Sequence, residues 1–107
     1  KMGRVLGDRL ATLCTHNEPW CTAYLGHEQG KFAPGARDPV LATQVAHHLL
    51  LSHGLALQAL RAAGVRTPLG IVLNQSPAHP ATDGEADRRA AENAYNAFVR
   101  WFMDPLF

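Results

Sequence analysis

Leu10-Ala11-Thr12-Leu13-Cys14-Thr15-His16-Asn17-Glu18-Pro19-Trp20 is the stretch that decides the fold. Its first five residues form an apolar run, short enough and buried enough in character for a parallel β-strand. Pro19 cannot donate to a sheet ladder, so the strand is expected to stop there. Asn17 and Glu18 then stand at its carboxyl end, where open parallel sheets and closed (β/α)8 barrels place their chemistry. A polar pair followed by an indole at a strand end has the form of a site.

Downstream, Trp20 to about Asp38 reads as one long irregular stretch, broken by Gly26, Gly30, Pro34 and Gly35. Connections this long inside compact domains are usually functional or disordered. Trp20, Tyr24 and Phe32 argue for an ordered binding-site loop. A helix follows, with Asp38 as N-cap and Pro39 in the first helical position, whose N–H would be unpaired anyway. Leu41, Val45, Leu49, Ala56 and Leu60 recur at helical spacing. Gly64 is the expected stop, Arg61 complements the dipole in the last turn, and Gly54 marks a point of close packing. Leu69-Gly70-Ile71-Val72-Leu73 is a second apolar strand ending at Asn74. Pro77 and Pro80 keep the next loop irregular. Thr82 and Glu85 have the spacing of a capping box opening a second helix. Ala91, Ala94, Tyr95, Phe98, Val99 and Phe102 line one face of that helix, and Pro105 ends it.

Strand, helix, strand, helix is the order of a parallel α/β sheet with right-handed crossovers. Two such units leave large apolar faces uncovered, whereas a complete (β/α)8 barrel takes about 250 residues. The 107 residues are 47% apolar and 18% charged, with net charge +1. That balance is neither disordered nor polyelectrolyte in character and gives no reason to invoke nucleic acid or a membrane surface. No uninterrupted apolar run approaches the ~20 residues of a membrane span, and no signal-peptide core opens the chain. Cys14 and Cys21, the only cysteines, read as small buried hydrophobes rather than a disulfide, in keeping with a reducing, cytoplasmic setting.

Thr15-x-Asn17-Glu18-Pro19 resembles the acid/base motif of glycoside hydrolase family 1, the β-glucosidases and their relatives. The resemblance extends to Gly7-Asp8-Arg9, Trp20-Cys21-Thr22-Ala23-Tyr24-Leu25-Gly26 and Ala33-Pro34-Gly35-x-Arg37-Asp38. It continues through Ala46-His47-His48-Leu49-Leu50-Leu51, Gly70-Ile71-x-Leu73-Asn74 and Arg100-Trp101-Phe102-x-Asp104-Pro105-Leu106-Phe107. It covers nearly the whole chain in the family's order. It implies a βαβα segment, about the fourth and fifth units of an incomplete (β/α)8 TIM barrel, with residues 1–107 as one partial catalytic domain. The implied activity is that of a retaining β-glucosidase acting on terminal β-D-glucosyl residues of oligosaccharides or aryl and alkyl β-glucosides. No cofactor is called for.

Retaining glycosidases use two carboxyl groups about 5–5.5 Å apart, one a nucleophile and the other an acid and then a base. Glu18 matches the family's acid/base residue. A carboxyl in that role must keep its proton near neutral pH, which partial burial and a negatively charged partner favour. Asn17 matches the residue that hydrogen-bonds the sugar 2-hydroxyl. Trp20 and Leu25 match positions lining the aglycone side, Cys21 lies beside them, and Asn74 supports the pocket. From spacing alone Glu18 is equally a solvated loop carboxylate and Asn17 a turn residue; the surrounding motif decides between them. Phe32 departs from the histidine common in bacterial relatives, which implies a more apolar entrance. His16 fills a variable place and is given no role.

The family's nucleophile segment, Thr-Glu-Asn-Gly, has no counterpart in these residues. Glu92-Asn93-Ala94 only echoes it, inside a helix and without the glycine. The substrate-processing site is thus expected to need the remainder of the barrel or complementary fragments. The competing expectation is a noncatalytic carbohydrate-binding module or a self-associating homo-oligomer built on exposed strand edges. His47, His48 and His53 invite a metal reading, but adjacent helical residues point ~100° apart and the spacing is not His-Glu-x-x-His, so no metal is expected.

Overall fold

The computed structural model describes residues 1–107. Its elements are α1 (Met2–Leu6), β1 (Leu13–Asn17), a π-helical segment (Cys21–Glu28), α2 (Pro39–Ala62), β2 (Leu69–Val72), α3 (Glu85–Tyr95), a second π-helical segment (Asn96–Arg100) and the short α4 (Trp101–Met103). They group into two compact units, Lys1–Leu73 and Asn74–Phe107.

In the first unit β1 and β2 pair in parallel, with Leu13 opposite Leu69 and Cys14 opposite Gly70. The strand begins at Leu13, three residues later than the apolar run suggests, and Leu10, Ala11 and Thr12 lie outside it. Cys14 is exposed rather than packed, and both cysteines are thiols. The parallel partner of β1 comes from across α2, as a βαβ crossover requires. Asp38 caps α2 as expected: its Oδ1 accepts from the N–H groups of Val40 at 2.9 Å and Leu41 at 3.0 Å. Gly64 follows the helix with φ +77°, the left-handed geometry that suits glycine after a helix end.

The inner face of α2 is centred on Ala42, Ala46 and His53. Leu41, expected on that face, is exposed, while Val45, Leu49, Ala56 and Leu60 are half-buried on its flanks. A Cβ built on Gly54 would meet nothing, so the close packing expected there does not occur. α2 packs on the Cys21–Glu28 segment and on β1. The residues buried in that segment, Ala23 and Gly26, and those buried in the first half of α2, Ala42 and Ala46, are all small, and Gly26 faces the Ala33–Pro34 loop. By length and composition alone α2 could cross a membrane. It also carries His47, His48, Ser52 and His53, and the last two hydrogen-bond to β1.

In the second unit the single expected helix is divided: α3 gives way at Asn96 to a π-helical stretch, then to α4. Val99 and Phe102 are buried, whereas Ala94 and Tyr95 of the expected apolar face are exposed. The capping box does not form. Gly84 is the N-cap of α3, and Thr82 instead donates to Asp87 Oδ2 at 2.6 Å and accepts from the Gly84 N–H at 3.2 Å. Glu85 turns outward to Arg88 and Arg89.

Candidate active site

Asn17 closes β1 and Glu18 leaves it. The Glu18 N–H still donates to the Val72 carbonyl at 2.8 Å, so the residue is tied to the carboxyl end of the sheet. Its φ is +48°, unusual for any residue with a Cβ. Pro19 follows, fully buried, and ends the ladder because it has no N–H to give. The chain then turns at once into the π-helical segment, whose first N–H, from Cys21, donates to the Glu18 carbonyl at 2.9 Å. The Cys21 thiol donates to Glu18 Oε2 at 3.4 Å, so the acid side chain is held from the same turn.

Much of the stretch expected to be irregular is therefore helical. The Gln29 N–H reaches back five residues to the Tyr24 carbonyl at 2.8 Å, the wide turn of a π-helix. Such turns leave little mark on sequence periodicity and recur at functional sites. The Leu25 carbonyl accepts from the N–H groups of Lys31 at 2.8 Å and Phe32 at 3.0 Å, and the Asp38 N–H donates to the His27 carbonyl at 2.8 Å. These bonds fold the remaining loop back on the helical segment and hand the chain to α2.

Trp20 and Tyr24 stand one helical turn apart with ring centroids 5.5 Å apart and planes tilted by 36°. That separation is within aromatic contact range, and both rings are half-buried beside Glu18 in the chain. Burial pushes the Tyr24 hydroxyl up, and the Glu28 carboxylate adds to the effect, so the phenol stays protonated. Leu25 and Cys21 are half-buried, whereas Asn17 and Phe32 are exposed. The geometry thus brings Glu18 and Cys21 into contact and pairs Trp20 with Tyr24. Leu25 takes part through its carbonyl.

Two histidines gain partners that sequence reading did not supply. His16 Nε2 lies 2.7 Å from Ser52 Oγ, and His53 Nδ1 lies 2.7 Å from Thr15 Oγ1. The only legible signal was the spacing of His53 from Ala42 and Ala46, which places it on the inner helix face. His47 and His48 are exposed, their rings 5.6 Å apart, and do not converge with His53.

Comparison with known proteins places the chain in a family. The model of glycosyl hydrolase family 1 matches residues 2–107. A β-glucosidase from Agrobacterium sp. is 46% identical over 102 residues, covering 95% of this chain and 22% of the relative. Among solved structures, the AHE enzyme from Alicyclobacillus herbarius superposes with TM-score 0.93 at 47% identity, over 97% of this chain and 24% of that one. A β-glucosidase from Exiguobacterium marinum gives TM-score 0.93 at 46% identity, over 99% and 24%. The 107 residues therefore span about a quarter or less of the proteins they match. From residue 2 to residue 107 the chain belongs to glycosyl hydrolase family 1.

Proposed function

We propose that this segment supplies the acid/base half of a retaining β-glucosidase, as about the fourth and fifth βα units of a TIM barrel. Glu18 is the general acid/base. Its proton passes to the glycosidic oxygen as the bond from that oxygen to the anomeric carbon breaks, while a carboxylate from elsewhere in the full-length protein bonds to that carbon. Glu18, now a carboxylate, takes a proton from a water whose oxygen attacks the same carbon and releases the sugar. Asn17 hydrogen-bonds the 2-hydroxyl. Trp20, Leu25 and Cys21 line the aglycone side, the indole face serving as a stacking platform. The substrates are β-glucosides and gluco-oligosaccharides.

The observation that carries this reading is the strand-end turn: a half-buried glutamate in left-handed backbone, its Oε2 accepting from a thiol, followed by an indole paired with Tyr24. Strained backbone of this kind concentrates where a side chain must be presented at a site. The test is Glu18→Gln in the full-length protein. Turnover of alkyl glucosides, whose leaving groups need protonation, falls by about 10²- to 10⁴-fold, while highly activated aryl glucosides lose far less. Equal losses on both substrates would remove Glu18 from the acid role.

A further inference from the structure

Thr15 and His16 are neighbours on β1, where a regular strand would send their side chains to opposite faces. Here both reach one helix, Thr15 to His53 and His16 to Ser52, each at 2.7 Å. The pairing register shows how. Cys14 is opposite Gly70 and Asn17 opposite Val72, so β1 advances three residues while β2 advances two. The extra residue makes a β-bulge at Thr15–His16, immediately before Asn17 and Glu18. Bulges bend a strand and redirect the side chains that follow, and they recur at barrel rims and beside active sites.

Both hydroxyls also reach a backbone carbonyl. Ser52 spends its one hydroxyl proton on the Leu49 carbonyl at 2.9 Å, so it accepts from His16 Nε2–H. Thr15 Oγ1 lies 2.7 Å from His53 Nδ1 and 3.4 Å from the Gly70 carbonyl oxygen. That second path joins both strands to α2 through one threonine. His53 is buried, and burial together with the nearby His16 pushes it below the usual imidazole range, which keeps it neutral in its place.

We propose that these two side-chain bonds clip the bulge and so set the aim of Asn17 and Glu18, making His16 and Ser52 positioning residues of the acid/base step. The inference rests on Glu18 being the acid/base. Without the clip, β1 can relax toward regular alternation, and a one-residue slip sends a side chain to the other face. The Glu18 N–H is bonded to Val72, so a change in register is passed directly to the glutamate.

The experiment compares Ser52→Ala, Ser52→Thr, His16→Phe and Glu18→Gln in the full-length protein, with rates normalised to folded protein by circular dichroism. Alanine is the best helix former, so Ser52→Ala does not put α2 itself at risk. The probes are aryl β-glucosides of graded leaving-group acidity. Misaim of an acid costs rate only where protonation is needed. Ser52→Ala and His16→Phe should therefore steepen the leaving-group dependence of kcat, losing about tenfold or more on the poorest leaving group and little on the best. Ser52→Thr keeps the hydroxyl and restores the parent slope. Losses equal across the series, no loss, or failure of threonine to restore the slope would reduce the clip to ordinary packing. A flat response of Glu18→Gln itself would strike the acid/base assignment instead, and this proposal with it.

Discussion

Glu18 has the only positive φ outside glycine, +48°, and it lacks the short polar side chain that makes this region tolerable for Asn or Asp. Left-handed backbone costs such a residue roughly 1–2 kcal/mol, which the surroundings must offset. They do so with a sheet bond to the Val72 carbonyl, a turn bond from the Cys21 N–H and the buried Pro19 ring. The identity of the residue was legible in the chain; its strain was not, because strain arises where a strand must end and a helix begin within three residues. His53 has the opposite history. It looked like one of three helix histidines, and only the fold shows that it is buried against Thr15. Its folded pKa lies below its ordinary value, through burial first and His16 second. Well above about pH 6.5 the imidazole is neutral whether the chain is folded or not, and it does not affect stability. As pH falls below that value the unfolded chain binds a proton that the folded chain refuses, so stability drops until the folded pKa is passed. Urea midpoints of the full-length protein from about pH 8 to about pH 5 test this. His53→Gln should show the shallower acid slope even where it is less stable at neutral pH, and identical slopes would contradict the assignment.

Among the elements, those whose boundaries rest on local chemistry were readable. Asp38-Pro39 announced α2 because a carboxylate N-cap and a residue without an N–H both answer the unpaired donors of a helix start. The parallel character of both strands was readable from their apolar runs, although β1 begins only at Leu13. The Cys21–Glu28 segment was not readable, since a π-helix shifts the spacing on which a helical stripe is recognised, and Gly26 looked like a breaker. Gly26 is in fact buried within that helix, and a Cβ there would lie 2.8 Å from the Ala33 carbonyl oxygen. A backbone carbonyl cannot swing aside as a side-chain tip can, so the Ala33 segment would have to move. Gly26→Ala should therefore cost about 1–3 kcal/mol of stability and displace the loop beyond Leu25. Thermal melts of the full-length protein give the first quantity. A rise in KM for aryl glucosides, with Glu18 still in place, reports the second. An unchanged melting temperature and KM would mean that the loop accommodates the methyl group.

At the scale of the whole chain, the apolar surface is not consumed by the contacts these residues make. α2 leaves Leu51 50% exposed and Leu55 56% exposed, and Phe107 is 96% exposed. The sheet has only two strands, so each keeps one unpaired edge. Sequence reading reached the same expectation from element order, because two βα units cannot enclose a barrel core. Large exposed aliphatic side chains together with open strand edges drive association with whatever apolar surface is available. Within a full-length protein that surface is the remainder of the fold; for the segment expressed alone it is another copy. The isolated 107 residues should therefore bind a hydrophobic dye, sediment as a concentration-dependent mixture, and melt over a broad range. On the proposed acid/base reading they should release no aryl aglycone, because the partner carboxylate belongs to the rest of the full-length protein. On the same reading, mixing with the complementary remainder of the full-length protein should abolish dye binding and give hydrolysis together, because one docking event would cover the apolar faces and complete the proposed carboxylate pair. A monomeric, dye-silent segment with one sharp transition would show instead that these residues close their own core.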